Sequence, residues 1–213
     1  SGLPSNWIVG LYKSSDGSYW VGTRQGLAQG ARTQFDSFNT TNARLSHNHI
    51  NAIHQDQAGN LWVGTQDGLN RLAPGATQFD WFNTVNTPNL GSDQVMSLTS
   101  QNDLLWVGTF DEGLYRMDTS SGEMLQVALD PDNPFALQAP GVTSLLTHSS
   151  GNIVATTFGG GTAVVDSSGR VVRVIQSALD EYVNDFPITM AEDVSGSILV
   201  GMAQSLGVIN PSL

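Results

Sequence analysis

Gly59-Asn60-Leu61-Trp62-Val63-Gly64-Thr65 decides the fold, because the chain returns to it. Asp103-Leu104-Leu105-Trp106-Val107-Gly108-Thr109 and Gly17-Ser18-Tyr19-Trp20-Val21-Gly22-Thr23 are close copies. Gly151-Asn152-Ile153-Val154-Ala155-Thr156-Thr157 and Gly196-Ser197-Ile198-Leu199-Val200-Gly201-Met202 are weaker ones, with Val154 and Leu199 at the Trp position. With Gly22, Gly64, Gly108, Thr156 and Gly201 as markers, the period is about 45 residues. Repetition at that spacing means one small supersecondary unit copied along the chain.

The second repeat shows what the unit is. Ile50 to Gln55 reads as a strand and Asp56 to Gly59 as a turn, with a second strand over Leu61 to Thr65. Gln66-Asp67-Gly68 is another turn, Leu69 to Leu72 a third strand, and Gln78 to Phe82 an outer strand beyond Ala73-Pro74-Gly75. Outer strands are also expected over Thr33 to Phe38, Met124 to Leu129 and Val171 to Gln176. The one helical candidate, Ser177 to Val183, is too short to alter the class. The expectation is an all-β fold, a β-propeller of four-stranded antiparallel blades with about five repeats, in which an incomplete ring is allowed for. A single propeller region over residues 1–213 would hold repeats at about 7–45, 46–90, 91–137, 138–183 and 184–213, the last without its outer strand.

Packing explains the motif. Blades stack face to face, so their inner strands are apolar on both sides and lose simple alternation, as Leu61-Trp62-Val63 does. The Trp fills the space between neighbouring blades, and the Gly two residues later admits a close approach. The Gly of Gln25-Gly26-Leu27, Asp67-Gly68-Leu69 and Glu112-Gly113-Leu114 is expected at positive φ.

Composition narrows the function classes. The chain has 213 residues, 23 Gly, no Cys, 8 basic against 19 acidic residues and a formal charge of −11. That balance, with Lys13 the single lysine, opposes a nucleic-acid groove or an anionic membrane surface. Without Cys there is no disulfide framework, thiolate metal site or cysteine nucleophile. No apolar run approaches the roughly 18 residues of a membrane span, so direct membrane insertion of this segment is not expected.

The stretch from Ile53 to Leu72, with Asp56-Gln57-Ala58-Gly59-Asn60-Leu61-Trp62-Val63-Gly64-Thr65 and Asp67-Gly68-Leu69-Asn70-Arg71-Leu72, closely resembles the two-component regulator propeller repeat. Repeats one and three match most of that pattern, and four and five depart from it at Val154 and Leu199. The resemblance implies an extracytoplasmic or periplasmic sensor region of a membrane-anchored bacterial receptor, ahead of a histidine kinase or diguanylate cyclase. It implies a small-molecule ligand such as an oligosaccharide, and no cofactor. None of the output motifs lies in this sequence, so the resemblance implies a slice of a receptor.

Catalytic and metal candidates are few. His47-Asn48-His49 sets two imidazoles on one side of an extended segment, without a carboxylate at metal spacing. His54 and His148 fall near the ends of innermost strands, where a satisfied structural role is expected. Asp16, Asp56 and Asp193 precede hairpin turns, where Asp caps turn amides. Asp111-Glu112 is the adjacent acidic pair in a motif loop, but neighbouring side chains diverge, which disfavours a paired-carboxylate hydrolase. Asp130-Pro131-Asp132-Asn133 has the composition of a calcium loop or of an ordinary solvated one. No catalytic residue and no metal ligand is assigned.

Topology points more sharply. In a propeller, the turn from second to third strand and the connection between blades share the face where ligands bind. Arg24, Gln25, His47, His49, Gln66, Asp67, Phe110, Asp111, Glu112, Phe158, Asn184 and Asp185 fall there and are the ligand-binding candidates. Amides, carboxylates, a guanidinium and aromatics suit sugar hydroxyls and ring faces. The expected function is therefore ligand sensing without catalysis. The alternatives are a streptogramin-lyase-like, metal-dependent propeller enzyme and a protein-interaction scaffold that self-associates through the open edge of its last blade.

Overall fold

The computed structural model describes residues 2–14, 16–31, 34–175 and 187–210. Asn184, Asp185 and the segment Ser177 to Val183 lie outside the described residues. Among those described there is no helix, and hence none long and apolar enough to cross a membrane.

Each repeat folds as one antiparallel sheet whose strands follow chain order. The first joins β1 (Ile8–Lys13), β2 (Tyr19–Thr23), β3 (Gly26–Ala31) and β4 (Gln34–Phe38). The second joins β5 (Ile50–Gln55), β6 (Leu61–Thr65), β7 (Gly68–Leu72) and β8 (Asp80–Phe82). Next come β9 (Val95–Gln101), β10 (Leu104–Thr109), β11 (Leu114–Asp118) and β12 (Met124–Gln126). The fourth sheet holds β13 (Val142–Thr147), β14 (Ile153–Thr157), β15 (Gly161–Val165) and β16 (Val171–Ile175). Three strands make the last described sheet, β17 (Pro187–Glu192), β18 (Ile198–Met202) and β19 (Leu206–Ile209). These are the blades of the β-propeller fold, as the sequence pattern implies. Two outer strands are shorter than the sequence suggests: β8 begins at Asp80 and β12 ends at Gln126, while the flanking Phe79 and Val127 leave the strand yet stay buried in the cores.

The chain falls into two compact units, Ser1–Leu98 and Thr99–Leu213, with the boundary inside β9. In the first unit one core joins Trp20 and Leu27 to Ile50, Leu61, Val63, Leu72 and Phe79. In the second, Trp106 and Leu114 pack with Ile153, Ala155 and Val165, and Val154 packs with Ile198 and Val200. The motif Trp of repeats one and three thus sits against the inner strands of the following sheet, as expected of an interblade wedge. Gly64 explains its own position: a Cβ there would meet Val95 Cγ1 at 2.6 Å. Gly68 carries φ 107°, and a Cβ on it would stand 2.5 Å from the Phe82 carbonyl oxygen.

First hairpins differ in a way the motif does not announce. The Asp56 and Asp193 backbones each close a turn, accepting from the N–H of Gly59 and Gly196. In repeat one that role falls to Ser14, whose carbonyl accepts from Gly17 N–H, while Asp16 sits inside the turn and caps Ser18 N–H at 2.8 Å. Repeat three shortens the turn to Asn102 and Asp103, with Asn102 at φ 53°, so no residue stands where Asp56 does. Residues 2–4 lie beside the first sheet's own outer strand, where Ser37 Oγ donates to the Gly2 carbonyl at 2.8 Å.

Candidate functional site

The candidate face is built on a buried threonine. Thr23, Thr65, Thr109 and Thr157 end the second strands of four sheets and are almost wholly buried. Their hydroxyls donate to the carbonyls of Gly26, Gly68, Gly113 and Gly161 at 2.7, 3.0, 2.8 and 3.0 Å. The same oxygens accept the N–H of Gln25, Asp67 and Glu112 at 3.1, 3.1 and 3.2 Å. A satisfied buried hydroxyl thereby holds each turn, and the residues after it project outward.

A backbone bond then brings a second residue alongside. Arg24 N–H donates to the Trp7 carbonyl at 3.3 Å, and Phe158 N–H to the Gly141 carbonyl at 2.9 Å. The residue before a sheet's first strand therefore meets the residue after the motif Thr.

In the first unit this pairing is cationic and aromatic. The Arg24 guanidinium carbon lies 3.7 Å from the ring centroid of Trp7, which is 58% exposed. Gln25 is exposed on the same turn. His47 and His49, both half-buried, precede β5, and His47 Nδ1 accepts His49 N–H at 3.0 Å. Burial, then the positive fields of Arg24 and His47, hold the His49 imidazole below the usual histidine range, which favours the neutral ring at pH 7. Gln66 and Asp67 are exposed on the next turn, and no described hydrogen bond joins them to the Arg24 stack.

The second unit places an apolar pair at the same turn positions. Phe110, 46% exposed, and half-buried Phe158 meet edge to face with centroids 6.1 Å apart. With Pro140 and Gly141 they line an open apolar pocket of 650 Å³. Gly141 is required: a Cβ would meet Phe158 Cδ2 at 2.6 Å and the Phe110 carbonyl at 2.9 Å. Asp111 and Glu112 are exposed beside it, and the Glu112 carbonyl accepts Gln126 Nε2 at 2.7 Å.

Trp7, Pro140 and Gly141 are the lining residues absent from the sequence-based set. Each lies just before a first strand, one step outside the repeating motif, so the repeat gives no cue to it. Elsewhere, Asp130 Oδ1 accepts Asp132 N–H and Asn133 Oδ1 accepts Phe135 N–H, ordinary polar turns. Among the described residues no three His, Asp or Glu side chains gather as a metal group. His148 is a satisfied core residue, with Nδ1 against Ser150 Oγ at 2.8 Å and Nε2 against the Gly196 carbonyl at 2.9 Å.

Comparison with known proteins bears on the fold. Residues 2–25 and 44–67 match the family described as Two component regulator propeller. Among solved structures, the extracellular domain of a B. thetaiotaomicron protein described as a one component system is 21% identical, with TM-score 0.76 over 97% of this chain and 30% of that chain. A second extracellular domain from that organism, described for a hybrid two component system, is 20% identical, with TM-score 0.78 over 99% of this chain and 29% of that one. Virginiamycin B lyase from Staphylococcus aureus is 16% identical, with TM-score 0.72 over 99% of this chain and 73% of that chain. At such identities the likeness shows the fold. This chain spans about three-tenths of the length of the two regulator structures. No curated protein matches it by sequence.

Proposed function

We propose, for a chain in which residues 2–25 and 44–67 match the Two component regulator propeller family, that it is the ligand-sensing propeller region of an extracytoplasmic bacterial receptor. It binds a small solute such as an oligosaccharide and biases a downstream kinase or cyclase between signalling states. The observation that carries this reading is the Phe110–Phe158 pocket, whose exposed aromatic walls suit a pyranose face. The buried Thr109 and Thr157 hold both turns rigidly, so the pocket pre-exists its ligand and ordering costs little on binding. Action by binding rather than turnover fits the regulator domains that share the fold.

A thermal-shift screen against neutral and acidic oligosaccharides tests this. At least one should raise Tm in a concentration-dependent way, and Phe158→Ala should abolish the response. No stabilisation across the panel would sink the sensor reading. A second reading, a scaffold that self-associates, is supported by β19: Leu206 is 64% exposed there, while Leu69, at the same place in β7, is fully buried. That reading expects sedimentation to show concentration-dependent assembly, lost in Leu206→Asp.

A further inference from the structure

We infer that Arg24, seated on Trp7, is an anion subsite that selects a carboxylate-bearing saccharide. The inference rests on the sensing function proposed above and narrows its ligand class.

Three observations converge on it. Arg71 pairs with Asp80 at 2.9 Å and Arg170 with Asp166 at 3.4 Å, and Arg116 donates to the Ser167 carbonyl at 2.7 Å. Among the described residues, no ion pair forms at Arg24, and its side chain's contact is the Trp7 face. An Arg whose guanidinium carbon is held 3.7 Å over an indole centroid has part of its side-chain freedom already restricted, so less rotamer entropy remains to be lost on binding.

The placement is also that of a ligand contact. Arg24 occupies the position after Thr23 that Phe110 and Phe158 occupy after Thr109 and Thr157, where the apolar pocket lies. The surroundings complete the chemistry. Exposed Trp7 offers an apolar face for a sugar ring, Gln25 offers an amide to its hydroxyls, and His47 and His49 bring imidazoles to the same place. A planar carboxylate matches the guanidinium fork with two parallel bonds, and the ring that bears it matches the indole.

Isothermal titration calorimetry with trigalacturonate and its fully methyl-esterified form isolates the charge on one ring framework. The acid should bind at least tenfold more tightly than the ester, and Arg24→Gln should erase that difference. Arg24→Lys, which keeps the charge without the fork, should restore it only in part. Equal affinity for acid and ester, or an unchanged preference in Arg24→Gln, overturns the inference. Binding of a neutral oligosaccharide while trigalacturonate fails overturns it too, yet leaves the sensing function standing. A sulfated trisaccharide that outcompetes trigalacturonate replaces the carboxylate assignment, and acetate competing equally at matched ionic strength overturns the saccharide. Circular dichroism of Arg24→Gln confirms that the variant is folded, since Arg24 is exposed and its backbone bond to Trp7 does not need the side chain.

Discussion

Repeats two and four solve one problem in two ways. In repeat two the residue closing the first hairpin is Asp56, and it serves its own sheet. Asp56 Oδ1 accepts Asn60 N–H at 2.8 Å, while Oδ2 accepts Asn60 Nδ2 at 2.9 Å and Trp62 Nε1 at 2.7 Å. In repeat four the same place is held by His148, with Val154 in place of Trp62. His148 spends one nitrogen on its own turn and sends the other to the Gly196 carbonyl in the next sheet. Glu192 of that sheet accepts Ser149 N–H at 2.9 Å and Ser149 Oγ–H, and stands 3.4 Å from His148 Nε2. The polar side chain at the hairpin corner thus serves its own sheet and Trp62 in repeat two, and bridges to the next sheet in repeat four, where the smaller Val154 replaces the Trp.

The largest test of that contrast is Trp62→Ala. Losing a fully buried indole should cost about 3–5 kcal/mol in urea denaturation, clearly more than Val154→Ala. Equal losses would break the comparison. Next, Asp56→Ala strands the buried Trp62 N–H and should cost about 1–3 kcal/mol, whereas adding Trp62→Phe to it should recover part of the loss. His148→Ala should act at a distance: hydrogen exchange should quicken in β18 amides as well as in β13 and β14. Protection lost in the fourth sheet alone would remove the interblade role.

Repeat three sharpens the point with a smaller effect. Its shortened hairpin leaves Trp106 Nε1 buried without a hydrogen-bond partner among the described residues. Trp62→Phe should therefore exceed Trp106→Phe by about 1 kcal/mol, the net worth of one hydrogen bond. The smallest effect is in pH. Burial lowers the His54 imidazole against the opposing pull of Asp56, and burial with Arg24 and His47 lowers His49. Both rings protonate less readily in the folded state than in the unfolded one, so they leave stability unchanged well above 6.5 and lower it as pH falls below that value. A Tm that rose on acidification from pH 7 to 5.5 would contradict that sign.

Much of the molecule is legible in its residues. Strand boundaries in repeat two follow from Leu61-Trp62-Val63-Gly64-Thr65 and the glycine turns, because local propensity, motif spacing and packing agree there. The candidate face is legible only by position. Topology puts Arg24, Gln66, Phe110 and Phe158 at equivalent turns, but nothing in the motif says that Arg24 lies on Trp7, or that Phe158 meets Phe110 over Gly141. Those partners lie 17 residues or more away in sequence and are joined through the sheet.

The sequence by itself determined the blade: its period, its strands, its Trp wedges and the outward turn after each threonine. These depend on residues near one another in the chain, where propensity and turn geometry act. Tertiary structure decided what each turn is paired with, which hairpin could reach its Trp, and that His148 would bond across to Gly196. Those outcomes depend on the side chain a neighbouring strand brings within about 3 Å, a distance that hydrogen-bond geometry sets and that no local repeat encodes.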